Sequence, residues 1–238
     1  MNKKELFTEF FAKKNYEYLK LELKDSIKKE EISILARIYL DEKNYQKAAD
    51  LYEKINMLYE YGRCQLLLGN YDKAKDIWLK LENDNPAIIW SKSLLEFINL
   101  YVINIPSFFQ IRAFLEVDLD ELLRANQIKY CENIVNGAHL FAQNNPESYK
   151  FIGRVFVNNN YYDLADLFLQ KAKDVCYVDP EVHFLLAKCY IEKKELNKAK
   201  KSLQTSIEKG FGYYPAKKLL EKINLSWNFA RLWGKITI

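Results

Sequence analysis

The sequence predicts an all-α solenoid of antiparallel helix hairpins that stack on one another. Two observations carry this prediction: one spacing of small and large residues recurs in four segments, and apolar residues recur at helical intervals. A third is that the 238 residues include only 7 Gly and 5 Pro, fewer than a turn-rich β protein uses. Apolar residues make up 49% of the chain, enough for an extensive core and too many for wholesale disorder.

Each recurring segment has a small residue in its first helix, an alanine twelve positions later in its second helix, and a large residue sixteen positions later. The small residues are Ala36, Gly62, Gly153 and Ala187, the alanines are Ala48, Ala74, Ala165 and Ala199, and the large residues are Tyr52, Trp78, Leu169 and Leu203. Small residues let two helices approach closely, and large ones fill the groove between hairpins. A hairpin this short cannot bury its apolar face alone, so we expect it to stack on neighbours.

These four segments resemble tetratricopeptide repeats, whose usual length is about 34 residues. Gly153 and Ala187 are one such length apart, and Pro86 stands where this family closes a repeat. The resemblance covers residues 32–86 and 149–215. It implies a right-handed superhelical solenoid that holds a peptide or a partner helix in its concave groove.

We predict a single helical-repeat domain over residues 1–238, in five parts. These are a degenerate amino-terminal hairpin (1–31), two repeats (32–86), degenerate or inserted helices (87–148), two repeats (149–215), and a capping helix with an aromatic tail (216–238). In the central part the pattern predicts helices over 88–104, 108–116, from 122 onward after a cap at Asp118 or Asp120, and over 127–143. These helices either continue the solenoid or form an inserted subdomain.

The carboxyl-terminal segment is unusually aromatic. After a short helix predicted over Ala216–Ile223, the residues Trp227, Ala230 and Trp233 fall on one helical face. They could cover the exposed core at the end of the stack, which solenoids require. The alternatives are a segment that lies on a membrane surface, because Trp and Phe stand beside Arg and Lys, or a tail that docks on a partner.

The charge balance and the apolar runs limit the choice of partners and location. With 36 basic and 32 acidic residues, the net charge of +4 does not favour nucleic-acid binding, so we expect the partner to be another protein or a peptide. The first eleven residues have no continuous apolar stretch, so we do not expect a secretory signal, and the run Phe97–Ile105 is too short to span a bilayer. We therefore expect a cytoplasmic location, and the abundance of Lys, Asn, Ile and Tyr favours an AT-rich, bacterial genome.

No catalytic or metal-binding motif is present in the sequence. The histidines, His139 and His183, have no nucleophile of defined role beside them, and we interpret both as structural. The four cysteines form no CxxC pair, and we interpret them as reduced thiols, most of them packed as small apolar groups. We therefore predict that the protein is not an enzyme and has no cofactor and no metal.

A row of basic residues suggests where a partner binds. In each repeat the residue after the small one is basic: Arg37, Arg63, Arg154 and Lys188. The resemblance implies that this position faces the concave groove, where a basic row would attract carboxylates and Arg could bind them through two hydrogen bonds. The same register adds four further groove candidates: Ser33, Tyr59, Lys150 and Phe184.

The sequence thus predicts an interaction scaffold or adaptor that binds a peptide or partner helix, with acidic segments favoured by the basic row. Two alternatives stay open. Stacked repeats with an aromatic tail can also self-assemble into a homo-oligomer. An RNA-binding helical repeat is the other, although the near-balanced charge argues against it.

Overall fold

The protein is described here by a computed structural model, which covers residues 12 and 15–233, with side chains up to Leu225. Every secondary-structure element in this part of the chain is an α-helix, which confirms the predicted all-α repeat fold. The helices are α1 (Tyr16–Leu23), α2 (Lys29–Asp41), α3 (Tyr45–Lys54), α4 (Leu58–Leu67), α5 (Tyr71–Leu79), α6 (Pro86–Ile98), α7 (Phe108–Arg124), α8 (Ile128–Asn136), α9 (Ala138–Asn144), α10 (Ser148–Asn158), α11 (Tyr162–Val175), α12 (Pro180–Glu192), α13 (Leu196–Lys209) and α14 (Tyr214–Trp233).

The helices form two compact units. Unit 1 contains the described residues up to Ile103 together with Ala125–Tyr130, and unit 2 contains Asn104–Arg124 and the described residues from Cys131 onward. Two repeat hairpins, α2–α3 and α4–α5, lie in unit 1, and two others, α10–α11 and α12–α13, lie in unit 2. The predicted organisation as one domain stays a prediction.

The four repeat hairpins are packed as the spacing predicts. All twelve of the small residues, alanines and large residues that define the repeat are buried. The residue nine positions after the small one is in every case the first of the second helix: Tyr45, Tyr71, Tyr162 and Leu196. The small side chains thus sit between two helices whose separation they set.

Each repeat hairpin turns through one residue with a left-handed backbone. This residue comes seven positions after the small one: Lys43 (φ 61°), Gly69 (φ 84°), Asn160 (φ 65°) and Lys194 (φ 61°). The amide after it donates to the carbonyl five residues back, as from Asn70 N to Gln65 O at 2.9 Å, which is a Schellman ending. In the turn Gly69-Asn70 only Gly69 is left-handed, because Asn70 (φ −87°) already precedes α5 as its N-cap residue.

The amino-terminal helix packs on the first repeat. Helix α1 begins directly after Asn15, and Leu19, which replaces the repeat's alanine, is fully buried. Leu19 and Leu23 form a cluster with Leu35 and Ile38 of α2. The earlier part of the predicted hairpin lies outside the described residues apart from Ala12, so the hairpin itself stays a prediction.

The predicted helix bounds in the central region were partly wrong. Helix α6 ends at Ile98 rather than at residue 104, and Leu100 leaves it with a left-handed backbone (φ 58°). Helix α7 runs without interruption through Asp118 and Asp120, which were predicted to cap a separate helix. The apolar positions of this segment explain why.

Those apolar positions keep helical spacing across the acidic residues. Ile111, Leu115, Leu119 and Leu122 are all buried, so α7 presents one continuous face to the core of unit 2. The helix predicted over residues 127–143 is instead two, α8 and α9, which meet at Gly137.

The carboxyl-terminal helix is longer than predicted. Helix α14 continues from Tyr214 to Trp233 without a break, so the short helix and most of the aromatic tail form one element. The side chains of Trp227, Ala230 and Trp233, predicted to cap the stack, lie outside the described residues, as does the backbone after Trp233. Among the described helices none has the length and apolar character needed to cross a bilayer.

The cysteines behave as predicted. Cys64, Cys131 and Cys189 are buried, whereas Cys176 is exposed. Burial raises the pKa of the Cys131 thiol, and likewise the pKa of the Cys189 thiol, to about 12. These buried thiols therefore stay protonated at neutral pH and pack as small apolar groups.

Candidate functional site

A cleft of about 890 Å³ lies in unit 2 between α12 and α14. Apolar side chains line most of it, and its charged groups are three lysines and one glutamate. The lining residues from α12 are Phe184, Lys188, Ile191 and Glu192, those from α14 are Pro215, Lys218, Leu219, Lys222 and Ile223, and Tyr162 and Leu196 complete it.

Helical spacing places these residues on facing surfaces. In α12 the positions 184, 188 and 191 are four and three apart, and in α14 the positions 215, 219 and 222 are four and three apart. A buried cluster of Ala187, Leu203, Ala216 and Ile223 joins α12, α13 and α14, and Ile223 also lines the cleft. The cleft is therefore preformed rather than dependent on a mobile loop.

Aromatic packing holds the start of α14 against α12. The rings of Phe184 and Tyr213 meet edge to face, with centroids 5.8 Å apart. Tyr213 immediately precedes α14, so this contact fixes where that helix starts. The Phe184 ring is therefore packed against Tyr213 and still lines the cleft.

The predicted groove residues of unit 2 divide into two groups. Phe184 and Lys188 line the cleft. Lys150 and Arg154 lie on α10 and do not line it. Their charges are already engaged by carboxylates of unit 2.

Arg154 bridges two glutamates. Its Nη1 donates to Glu116 Oε2 of α7 at 2.8 Å, and its Nη2 donates to Glu181 Oε2 of α12 at 2.6 Å. Burial lowers the pKa of the guanidinium, but the hydrogen bond and charge of Glu181, together with those of Glu116, outweigh that effect and raise it overall. Arg154 therefore ties three helices together, and a ligand carboxylate would have to displace a glutamate to reach it.

Lys150 is held in the same manner. The residue is buried, and its Nζ donates to Glu147 Oε1 at 2.6 Å and to Asp179 Oδ2 at 2.8 Å. Burial lowers the pKa of Lys150, but the bonds to Asp179 and Glu147 raise it above its usual value on balance. Asp179 also caps α12 by accepting from the amide of Glu181 at 2.9 Å, so this ion pair fixes the start of that helix.

The predicted groove residues of unit 1 have different surroundings. Arg37 is exposed, whereas Ser33 and Arg63 are half-buried. The ring of Tyr59 stacks on that of Trp78 with centroids 6.2 Å apart, and the indole Nε1 of Trp78 donates to the Tyr59 carbonyl at 3.0 Å. Tyr59 is thus part of the packing between α4 and α5, and one face of its ring lies against Trp78.

Sequence reasoning missed the α14 wall of the cleft. The segment was interpreted only as a cap, although Lys218, Leu219, Lys222 and Ile223 repeat a basic and an apolar residue at a spacing of four. This spacing marks one amphipathic helix face, and it could have indicated a basic apolar surface.

His183, a residue of the cleft helix α12, is structural. His183 is buried, and its Nε2 lies 2.7 Å from the carbonyl of Tyr177, to which an Nε2–H would donate. The ring of Tyr177 also packs edge to face on the imidazole at 5.0 Å. No group of three or more His, Cys, Asp or Glu residues in the described chain could hold a metal ion.

Comparison with known proteins finds the repeat in two places. Models of the tetratricopeptide repeat match residues 57–87 and residues 180–208, which correspond to the second and fourth recurring segments. The match over residues 180–208 includes all of α12 and therefore the cleft residues that this helix supplies. No curated protein sequence matches the chain.

Six chains of known structure match this fold. One is in the crystal structure of the APC/C hetero-tetramer Cut9-Hcn1, at 16% identity and a TM-score of 0.38; the match covers 82% of this chain but only 36% of that one. The present chain thus spans about a third of that protein. Another is YrrB, described as a TPR protein with an unusual peptide-binding site, at 15% identity and a TM-score of 0.37, covering 87% of this chain and 97% of that one.

Proposed function

Because this chain is a tetratricopeptide-repeat protein, we propose that it is an interaction scaffold that holds a peptide or helix of a partner protein in the cleft between α12 and α14. Binding rather than catalysis is the proposed activity. The sites predicted from the sequence are revised accordingly: Phe184 and Lys188 remain proposed contacts, and Lys150 and Arg154 become structural residues.

The shape and lining of the cleft support this proposal. Its volume falls within the range of about 300–1,000 Å³ that is usual for ligand sites. Its lining combines apolar side chains with a few charged ones, as protein interfaces do, in which buried apolar anchors supply most of the binding energy. The observation that carries the proposal is that Phe184 and Lys188, selected by repeat register alone, line this same cleft.

The other predictions from the sequence remain predictions or proposals. Roles for Arg37, Arg63 and Tyr59 in a unit 1 groove remain proposals. Self-assembly, RNA binding, a cytoplasmic location and a bacterial source stay predictions, and nothing described above favours either alternative function over partner binding.

Site-specific photo-crosslinking tests the proposal. Tyr162 lines the cleft and Phe211 is fully exposed outside it, so each can be replaced by p-benzoylphenylalanine with an aromatic ring kept in place. Irradiation in the native host should produce one discrete adduct from position 162, because a bound partner segment would lie against that ring. Mass spectrometry of the adduct would identify the partner and the crosslinked peptide.

Position 211 is the matched control. It should give no adduct with the same partner, since its side chain is fully exposed and does not line the cleft. Adducts that form from position 211 and not from position 162 would contradict the proposal, because the partner would then bind a different surface of unit 2.

A further inference from the structure

We infer that the occupant of the cleft is an acidic segment of a partner protein, whose apolar side chains fill the floor and whose carboxylates pair with Lys188, Lys218 and Lys222. This inference rests on the proposed function and specifies the chemistry of the partner. Of the predicted basic row in unit 2, Lys188 thus keeps the role of binding acidic groups, and Lys218 and Lys222 of α14 take the place of Arg154 in that role.

The cations of unit 2 differ in whether carboxylates already pair with them. Lys150 and Arg154 each contact two carboxylates and are neutralised inside the fold. In contrast, no hydrogen bond or ion pair joins the amine of Lys188, Lys218 or Lys222 to another residue whose side chain is described. The cleft therefore has three available positive charges around an apolar floor.

Most of the charged side chains that line the cleft are basic. Among the described residues that line it, Glu192 is the one acidic residue, against three lysines. Lysine amines at an apolar surface favour a ligand that brings negative charge, because the carboxylates compensate for the water that the amines lose. A neutral or basic segment would cover these amines without such compensation.

The lysines also set a spacing for the ligand. Lys218 and Lys222 are one helical turn apart on α14, a rise of about 6 Å, and Lys188 stands on the opposite wall. Carboxylates on both sides of an apolar anchor would meet both walls at once. We therefore expect apolar residues flanked by Asp or Glu, rather than an uninterrupted acidic run.

The test uses a phage-displayed library of random peptides, panned against the full chain. Enriched peptides should carry apolar residues flanked by Asp or Glu. Synthetic copies should bind about 100-fold more weakly to the variant Lys188→Glu/Lys218→Glu/Lys222→Glu in fluorescence anisotropy, because three attractions become repulsions. Their affinity for the unaltered chain should also fall as salt is raised.

A matched variant controls for net charge. Lys75→Glu/Lys201→Glu/Lys217→Glu changes the charge by the same amount at exposed lysines outside the cleft, and it should bind the peptides as the unaltered chain does. Circular dichroism checks that each variant is folded.

A third variant separates the inference from the proposed function. Leu219→Ala removes apolar surface from the α14 wall and should weaken binding of any peptide held in the cleft. One outcome would overturn the inference and leave the proposed function intact. In that outcome the peptides bind Leu219→Ala more weakly, show no preference for acidic residues and bind the triple lysine variant normally. Peptides insensitive to both variants, or panning that enriches none, would overturn both.

Discussion

Replacing Gly62 by alanine should lower the free energy of unfolding by about 2 kcal/mol. A Cβ at this position would lie 2.7 Å from Cδ1 and 2.9 Å from Cε2 of Trp78, closer than van der Waals contact allows. The indole cannot move aside easily, because it is 1% exposed and its Nε1 donates to the Tyr59 carbonyl. Overpacking of this kind costs about 3 kcal/mol at its upper range, and the better helix propensity of alanine offsets about 1 kcal/mol.

The fourth repeat supplies a rescue for this substitution. There the same two positions are Ala187 and Leu203, both fully buried, so an alanine is compatible with a leucine sixteen residues later. In a Trp78→Leu background, Gly62→Ala should therefore be neutral or stabilising, although Trp78→Leu alone leaves a cavity. Denaturant unfolding of the two single variants and the double variant, followed by circular dichroism, measures this coupling.

If Gly62→Ala is equally destabilising in the unaltered chain and in the Trp78→Leu background, the steric explanation is wrong. The cause would then lie in the backbone of α4 and not in the contact with Trp78. Gly153, where a Cβ would lie 2.6 Å from Leu169 Cγ, is the equivalent position of unit 2, and the smaller leucine side chain should make alanine less destabilising there.

Replacing Arg154 by methionine should also lower the free energy of unfolding by about 2 kcal/mol. The change leaves Glu116 and Glu181 close together without the cation that bridges α7, α10 and α12. Breaking a fully buried ion pair costs about 3–5 kcal/mol, and exposed pairs are worth about 1 kcal/mol or less. The side chains here are 25% and 31% exposed, so we expect an intermediate effect.

Arg112→Met is the control for this prediction. Arg112 is an exposed residue of α7, so the same chemical change should alter stability by only about 0.5 kcal/mol in the same denaturant titration. A loss at Arg154 no larger than the loss at Arg112 would show that the bridge contributes little. Arg154→Met should leave the affinity for the enriched acidic peptides unchanged, since its guanidinium does not line the cleft.

The repeat core could be predicted from the sequence because its determinants are local. A small residue, an alanine and a large residue at fixed offsets are enough to define a hairpin, and each of these positions is buried. The central region was harder, since Asp118 and Asp120 can be caps in one context and exposed helix residues in another. The continuous apolar face through Leu115, Leu119 and Leu122 decides in favour of a single helix.

The candidate site was predictable only in part, because it depends on residues far apart in the chain. Glu116 and Glu181 are 38 and 27 residues from Arg154, so nothing in the local pattern shows that this arginine is already paired. Lys188 has the same repeat position as Arg154, yet its amine has no such partner among the described side chains. Repeat register predicts which way a side chain faces, and tertiary contacts decide whether its charge is available.

Hydrogen exchange of the full chain, measured by mass spectrometry with and without an enriched acidic peptide, tests the central proposal most directly. Occupation of the cleft should slow amide exchange in residues 180–196 and 214–225 and leave α4 and α5 unchanged, because bound helices open less often. Slower exchange confined to α4 and α5, beside Arg63 and Tyr59, would contradict the proposal and place the binding site in unit 1.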